Sequence, residues 1–263
     1  YKRQDLQLIE NAMYRITLEG TDLAGNTGKK FIMSIVYDDV APKLGIKYPE
    51  PNTVVNNLNF AYFLSEQLGK GQFIYTQIGG EQDPTSPVVL SLSESELEKM
   101  IDVPRLPTNP PVLNDGSIYN IKFVGEDLAT NKTESDLVEN VRYDITRPKI
   151  SISYPSGNTF FLGTEIGMEV SEDLLEAVLI WTRTGGLPDD GSPHRMPLSD
   201  ALLKKGSYQD APFPINESLN TSAIYTLSVE GKDFADNDVE PVSIQSIEYI
   251  RDMLGCLLYT SRA

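Results

Sequence analysis

One cysteine, Cys256, and one histidine, His194, are all that 263 residues hold of either type. A single thiol excludes an internal disulfide and any cysteine-based zinc site, and a single imidazole excludes every mechanism that needs two. Basic residues are scarce as well: 22 Lys and Arg stand against 38 Asp and Glu, a formal charge of −16. That balance repels phosphate backbones and excludes nucleic acid as a partner. No apolar run approaches the ~18 residues of a membrane span. No signal peptide is evident and the first residue is Tyr1 rather than Met, so the chain reads as an internal piece of something longer.

What is present is a repeat. Tyr14-Arg-Ile-Thr-Leu-Glu-Gly20-Thr-Asp22-Leu-Ala24-Gly-Asn26 returns as Tyr119-Asn-Ile-Lys-Phe-Val-Gly125-Glu-Asp127-Leu-Ala129-Thr-Asn131 and again as Tyr225-Thr-Leu-Ser-Val-Glu-Gly231-Lys-Asp233-Phe-Ala235-Asp-Asn237. The register extends beyond this motif: Tyr48-Pro49 matches Tyr154-Pro155, Asn52-Thr53 matches Asn158-Thr159, Ser65-Glu66 matches Ser171-Glu172, and Gly79-Gly80 matches Gly185-Gly186. A period of a hundred residues is a whole domain rather than a solenoid unit. The expected organisation is the closing hairpin of a truncated module over residues 1–37, complete modules over 38–143 and 144–250, and a tail over 251–263. Within the tail, Cys256-Leu-Leu-Tyr-Thr-Ser261 breaks the register and matches one reading frame of a common sequencing-library adapter.

Inside each copy apolar residues alternate with a period of two, as in Tyr119, Ile121, Phe123 and Tyr225, Leu227, Val229. One face is therefore packed and the other wet. Asp-x-Ala-x-Asn is a turn, because Asp and Asn bond their own backbone and Asn tolerates the left-handed region. Further strands are expected around Leu44–Tyr48 and Ile150–Tyr154, around Phe60–Leu64 and Ile166–Val170, and through Phe73, Tyr75 and Leu179, Trp181. Ser93-Glu-Ser-Glu96 has the form of a capping box opening a short helix, with 198–205 as its counterpart. The fold class is all-β, in tandem immunoglobulin-like β-sandwich domains: five or more short strands per module, a large aromatic on the third strand (Tyr75, Trp181), and a tyrosine corner at Asp115-Gly-Ser-Ile-Tyr119. With the other strands of its own sandwich missing, the 1–37 hairpin should expose Ile16, Leu18, Phe31 and Met33.

Tyr-x-Ile-x-Leu-x-Gly-x-Asp-x-Ala-Gly-Asn, followed by a strand and Tyr37-Asp-Asp-Val-Ala-Pro42, resembles the bacterial immunoglobulin-like repeats of large cell-surface proteins and adhesins, over residues 14 to about 250. Thr130 departs from the pattern where the other copies have Gly25 and Asp236, and Leu254 stands where a closing proline would be. The resemblance implies a non-enzymatic stalk or adhesion segment at the cell surface or outside the cell. Its partners would be the neighbouring modules of the same chain and a host or matrix protein or glycan. The alternative is an accessory carbohydrate-binding or spacer module of a large secreted hydrolase.

No cofactor is expected. Calcium is the ion the acidic residues leave open: Asp38, Asp39 and Asp144 lie at module junctions, where calcium stiffens cadherin-like arrays, and Asp22, Asp127 and Asp233 recur in the turns with Asn26, Asn131 and Asn237. A hard cation needs six to eight oxygens, which neither set supplies alone. His194 lies in a loop without a matched triad and reads as a surface histidine. Trp181 and Tyr75, candidate sugar-stacking rings, fall on the inward phase of their strands and read as core.

Overall fold

The computed structural model describes residues 6–98, 100–163, 165–212 and 219–251. The expected tail from 252 on, with Cys256, lies outside them. Contacts divide the chain into two compact units, residues 1–53 with 57–142, and residues 54–56 with 143–263. Among the described residues no helix is long and apolar enough to cross a membrane.

The strands follow one another as the alternation requires. A hairpin, β1 (Met13–Thr21) and β2 (Thr27–Val36), precedes β3 (Leu44–Tyr48), β4 (Val54–Val55), β5 (Phe60–Leu64), β6 (Leu68–Gly80) and β7 (Val88–Ser91). After α1 (Glu94–Leu97) come β8 (Ile101–Arg105), β9 (Ser117–Asp127), β10 (Lys132–Glu134) and β11 (Val138–Tyr143). The second copy runs β12 (Ile150–Tyr154), β13 (Thr159–Phe161), β14 (Glu165–Val170), β15 (Leu174–Gly186), β16 (His194–Pro197), β17 (Gly206–Pro212), β18 (Ala223–Asp233) and β19 (Ser243–Tyr249).

In the first unit one sheet is ordered β3-β5-β8 and the facing sheet β11-β9-β6-β7, with β10 on β9. In the second the sheets are β12-β14-β17 and β13-β19-β18-β15-β16. Naming the strands A, A′, B, C, C′, E, F, G in chain order gives A-B-E against G-F-C-C′, the two-sheet arrangement of an immunoglobulin-like sandwich. Both units are such sandwiches, and the fold class follows from this strand order. In β9 every second residue from Ser117 to Asp127 is buried, so one register fixes the whole inward face.

The two cores are filled differently. In the first, Phe60 and Tyr62 of β5 meet Phe73 and Phe123 of the facing sheet, with Phe73 stacked on Phe123 at 4.5 Å. At the matching places the second has Ile166, Met168, Leu179 and Val229, and its rings lie elsewhere: Phe161 stacks on Trp181 at 5.0 Å and Trp181 meets Tyr225 edge-on at 6.1 Å. Total volume and patterning are kept while the jigsaw changes, as sandwich cores tolerate.

Ser93–Glu96 does open a short helix, but its counterpart over 198–205 is a turn. The reason is one residue: Leu202 stands where Glu96 stands, so no carboxylate returns to the cap, and Leu202 joins the core instead. Tyr208 closes the turn by donating its hydroxyl to the carbonyls of Ala201 and Lys204.

Thr130 sits at φ 77°, beside 88° for Gly25 and 71° for Asp236. The turn therefore keeps its shape and the threonine carries the strain of a β-branched residue in the left-handed region. Thr130→Gly should stabilise the first unit by about 0.5–1 kcal/mol, the relief of ~1–2 kcal/mol of steric cost less the added chain entropy of glycine. A denaturant midpoint that fails to rise would contradict the left-handed geometry.

Candidate functional site

The acidic residues singled out by the sequence are drawn together by the Asp-x-Ala-x-Asn turn. Asp233 Oδ1 accepts from the N–H groups of Ala235 and Asn237, both at 2.8 Å, and Oδ2 from the Asn237 side chain at 2.8 Å. Asp22 makes the same set with Ala24 and Asn26, and Asp127 bonds Asn131 through both backbone and side chain. The turn aspartates are thus structural locks first.

The asparagine's second amide hydrogen reaches back to the segment before each sandwich. Asn237 Nδ2 donates to the Asp144 carbonyl at 2.9 Å, and Asn131 Nδ2 to that of Asp38 at 3.3 Å. This places Asp38 beside Asp127 and Asp144 beside Asp233, and the bend that leaves β5 or β14 adds Glu66 or Glu172. In both trios, Asp38–Glu66–Asp127 and Asp144–Glu172–Asp233, carboxylate oxygens lie within 4.8 Å of one another. Asp39 stands outside: its carboxylate takes the Tyr37 hydroxyl at 2.7 Å and its N–H donates to Glu10. The two glutamates were visible in the repeat as Ser65-Glu66 and Ser171-Glu172, but only the folded register shows them converging on the turn. The serines beside them accept from the Lys43 and Lys149 amides at 2.8 Å.

Partial desolvation and the charges of Asp38 and Asp127 hold the Glu66 carboxyl above its ordinary range. A carboxyl that binds its proton more tightly folded than unfolded adds stability below its unfolded pKa and loses it as pH rises through the folded value. Glu66→Gln should therefore stabilise the first unit slightly at pH 7, by roughly 0.5 kcal/mol or less because the group is exposed and screened, and the gain should vanish near pH 4. Melting curves at the two pH values check this. Three carboxylates supply part of the oxygen set that calcium takes and do not by themselves make a calcium site. A melting midpoint raised by millimolar calcium in the wild type, but not in Glu172→Gln, would assign one.

The second polar centre lies at the other end of each sandwich. The tyrosine corner forms as expected: the Asn114 N–H donates to Tyr119 Oη at 2.9 Å, and the Asn220 N–H to Tyr225 Oη at 2.9 Å. Each phenol then donates to a carboxylate the sequence reading missed, Tyr119 to Asp83 at 2.6 Å and Tyr225 to Asp189 at 2.5 Å. Burial pushes the Asp83 and Asp189 carboxyls up, but the bonds from Thr85 and Tyr119, and from Tyr225 and His194, outweigh it and hold both below the usual range.

The expectation for His194 is corrected here. Its side chain is only 10% exposed, with Nε2 2.6 Å from Asp189 Oδ2. The strand β16 carries it inward over Tyr225, and Asp189 offers the partner that permits burial. Nearby Ser192 Oγ accepts from the Arg183 N–H at 2.7 Å, just as Ser86 accepts from Gln77 in the unit without a histidine. Trp181 and Tyr75 are 0% and 4% exposed, so neither ring is a platform for a sugar.

No family model matches the chain, and no curated protein does. Among solved structures it is similar to fibronectin(III)-like modules of Clostridium thermocellum CbhA, with 14% identity and a TM-score of 0.36 over 80% of this chain and 96% of that one. It is also similar to a tetra-tandem repeat in the extending region of a large adhesion protein (12% identity, TM-score 0.30, 90% of this chain and 57% of that one). Murine CEACAM1b aligns at 12% identity with a TM-score of 0.29, over 80% of this chain and the whole of that one.

Proposed function

We propose that the chain is a run of non-catalytic immunoglobulin-like modules serving as the stalk or adhesion segment of a bacterial surface or secreted protein. The observation that carries this reading is the parallel pairing of β13 with β19, Thr159 opposite Ile247 through Phe161 opposite Tyr249. A pull along the polypeptide enters the second module near β12 and leaves at β19. With an early and a late strand paired parallel, the strands lie along that pull and the hydrogen bonds between them lie across it, so the bonds share the load in shear. The incoming segment is also fastened to its own module: Arg147 donates to the carbonyls of Asp238 and Val239, both at 2.9 Å, and the Glu240 N–H to that of Pro148 at 2.9 Å. Such fastening shortens the free linker and favours a stiff spacer over a slack one.

Single-molecule stretching of the chain tests it. The second module should resist extension and yield cooperatively, and Ile250→Pro, which removes the Ile250 N–H bonded to Phe161 O at 2.9 Å, should lower its yield force. Extension without resistance, or no effect of the substitution, would sink the stalk reading. The two rings the sequence offers for stacking on a carbohydrate, Trp181 and Tyr75, are in the core, which weighs against that alternative.

A further inference from the structure

β6 and β15 each carry a short outer strand that ends their sheet: β7 closes the order β4-β11-β9-β6-β7, and β16 closes β13-β19-β18-β15-β16. An end strand turns backbone N–H and C=O groups to solvent and is a template for pairing unless charge or proline guards it. The two copies are in register, Ser86-Pro-Val-Val-Leu-Ser-Leu-Ser93 against Ser192-Pro-His-Arg-Met-Pro-Leu-Ser199, and only the second is guarded. In a chain of net charge −16, the run from Ser86 to Ser93 carries no charge.

The pairing with β6 decides which residues face the open side. Gln72 to Tyr75 stand opposite Ser91 to Val88, and the Leu92 N–H donates to the Gly71 carbonyl at 2.9 Å. Backbone groups alternate along an antiparallel strand, so Val88 and Leu90 bond to β6 as Leu92 does, while the N–H and C=O of Val89 and Ser91 point away from it. The same phase in β16, set by the Leu198 N–H on the Ala177 carbonyl at 2.9 Å, turns Arg195 and Pro197 to the open side. Arg195 also reaches across β15 to Glu230 at 2.6 Å. The first unit has Val89 and Val124 in place of this ion pair, and Val89 is 47% exposed.

We infer that the β7 edge is a homotypic pairing site whose occupant is the β7 edge of a second copy of this chain. Antiparallel pairing about Val89 is self-complementary. It sets Val89 opposite Val89 on the outward face and Val88 opposite Leu90 on the inward one. The two Val89 residues exchange N–H and C=O bonds, and each Ser91 N–H meets the Pro87 carbonyl of the other copy; Pro87 has no N–H to give but keeps its acceptor. Every residue brought together is uncharged, which lets two chains of like net charge approach at this edge. The same pairing of β16 would set Arg195 opposite Arg195 and Pro193 opposite Pro197, so like charges would meet and neither flank would have a donor. The site therefore belongs to the first unit, and the inference does not rest on the stalk role.

Sedimentation equilibrium of the full chain, with amide hydrogen exchange at the same concentrations, tests this. The contact is small, so a weak dimer is expected, with an average mass that rises between about 10 μM and about 1 mM. At the upper end the Val89 and Ser91 amides should gain protection, while those of Val88 and Leu90 are protected throughout. Val89→Arg, which installs the second unit's residue, should raise the dissociation constant roughly tenfold or more. It should leave the melting of the first unit in place, since Val89 lies outside that core. Leu18→Asp is the control for another open face: Leu18 is 74% exposed on the β1–β2 hairpin, and its replacement should leave the dimer intact. A mass fixed at that of one chain up to about 1 mM would overturn the proposal. So would a dimer that Val89→Arg leaves unchanged, one that Leu18→Asp abolishes, or one in which Val89 and Ser91 exchange as fast as in dilute solution.

Discussion

Phe161→Ala is expected to destabilise the second sandwich by about 3–5 kcal/mol and leave the first unchanged. Phe161 is wholly buried, stacked on Trp181 at 5.0 Å and 6.3 Å from Tyr249, so truncation removes a ring from the centre of an aromatic set and leaves a cavity that two rigid neighbours cannot fill. Against a domain stability of roughly 5–15 kcal/mol, such a loss brings the module near its threshold. The chain's one tryptophan lies in this core, so its fluorescence reports the second module alone. A denaturation curve by Trp181 emission should shift to much lower denaturant. The first module's cluster of Phe60, Tyr62, Phe73 and Phe123 shares no residue with that core, and its transition should stay in place. Equal shifts in both transitions would mean that the cores do not unfold independently. At the matching position the first module has Val55, which is why its aromatic packing is built around β5 instead.

The repeat made the fold legible because it reports register. Once three tyrosine-led segments are in phase, the inward residues of β9 and β18 follow from a period of two, and the turn follows from the chemistry of Asp and Asn. The partners of the polar residues were not legible. Asp83 and Asp189 lie 36 positions from the phenols they hold, and Glu66 and Glu172 come beside Asp127 and Asp233 only through the pairing of Leu68 with Asp127 and of Leu174 with Asp233. No local pattern encodes such pairs. His194 illustrates the limit: without a visible partner it reads as a surface residue, and its burial depends on β16 carrying it over Asp189 of the preceding loop. The lost counterpart helix shows the opposite case, where Leu in place of Glu at position 202 was a readable sign that the capping box could not close.

Glu96 is where the first module should prove most vulnerable to a single polar change. Only 1% exposed, its carboxylate accepts from the Ser93 N–H and hydroxyl at 2.8 and 2.7 Å, and from the Thr108 N–H and hydroxyl at 2.8 and 2.9 Å. Its backbone carbonyl takes the Tyr62 hydroxyl. Glu96→Ala would leave two backbone donors buried without an acceptor and should cost about 2–4 kcal/mol, read as a loss of the first transition with the Trp181 transition unmoved. Burial pushes this carboxyl up, but the four donors outweigh it and hold it below the usual range. A depressed folded pKa adds stability above the unfolded value, near 4.3, and that stability is lost as pH falls through the folded value. The first module should therefore weaken in acid more steeply than a Glu96→Gln variant. Gln keeps one acceptor oxygen, turns an NH2 toward a donor, and removes the titration. Glu96→Leu installs the second module's residue and should recover part of the packing lost in Glu96→Ala. It cannot recover the acceptors for Ser93 and Thr108, so it should remain less stable than the wild type. A Glu96→Leu variant as stable as the wild type would mean that these amides find other partners, and that the carboxylate was never what held the helix to the loop that follows β8.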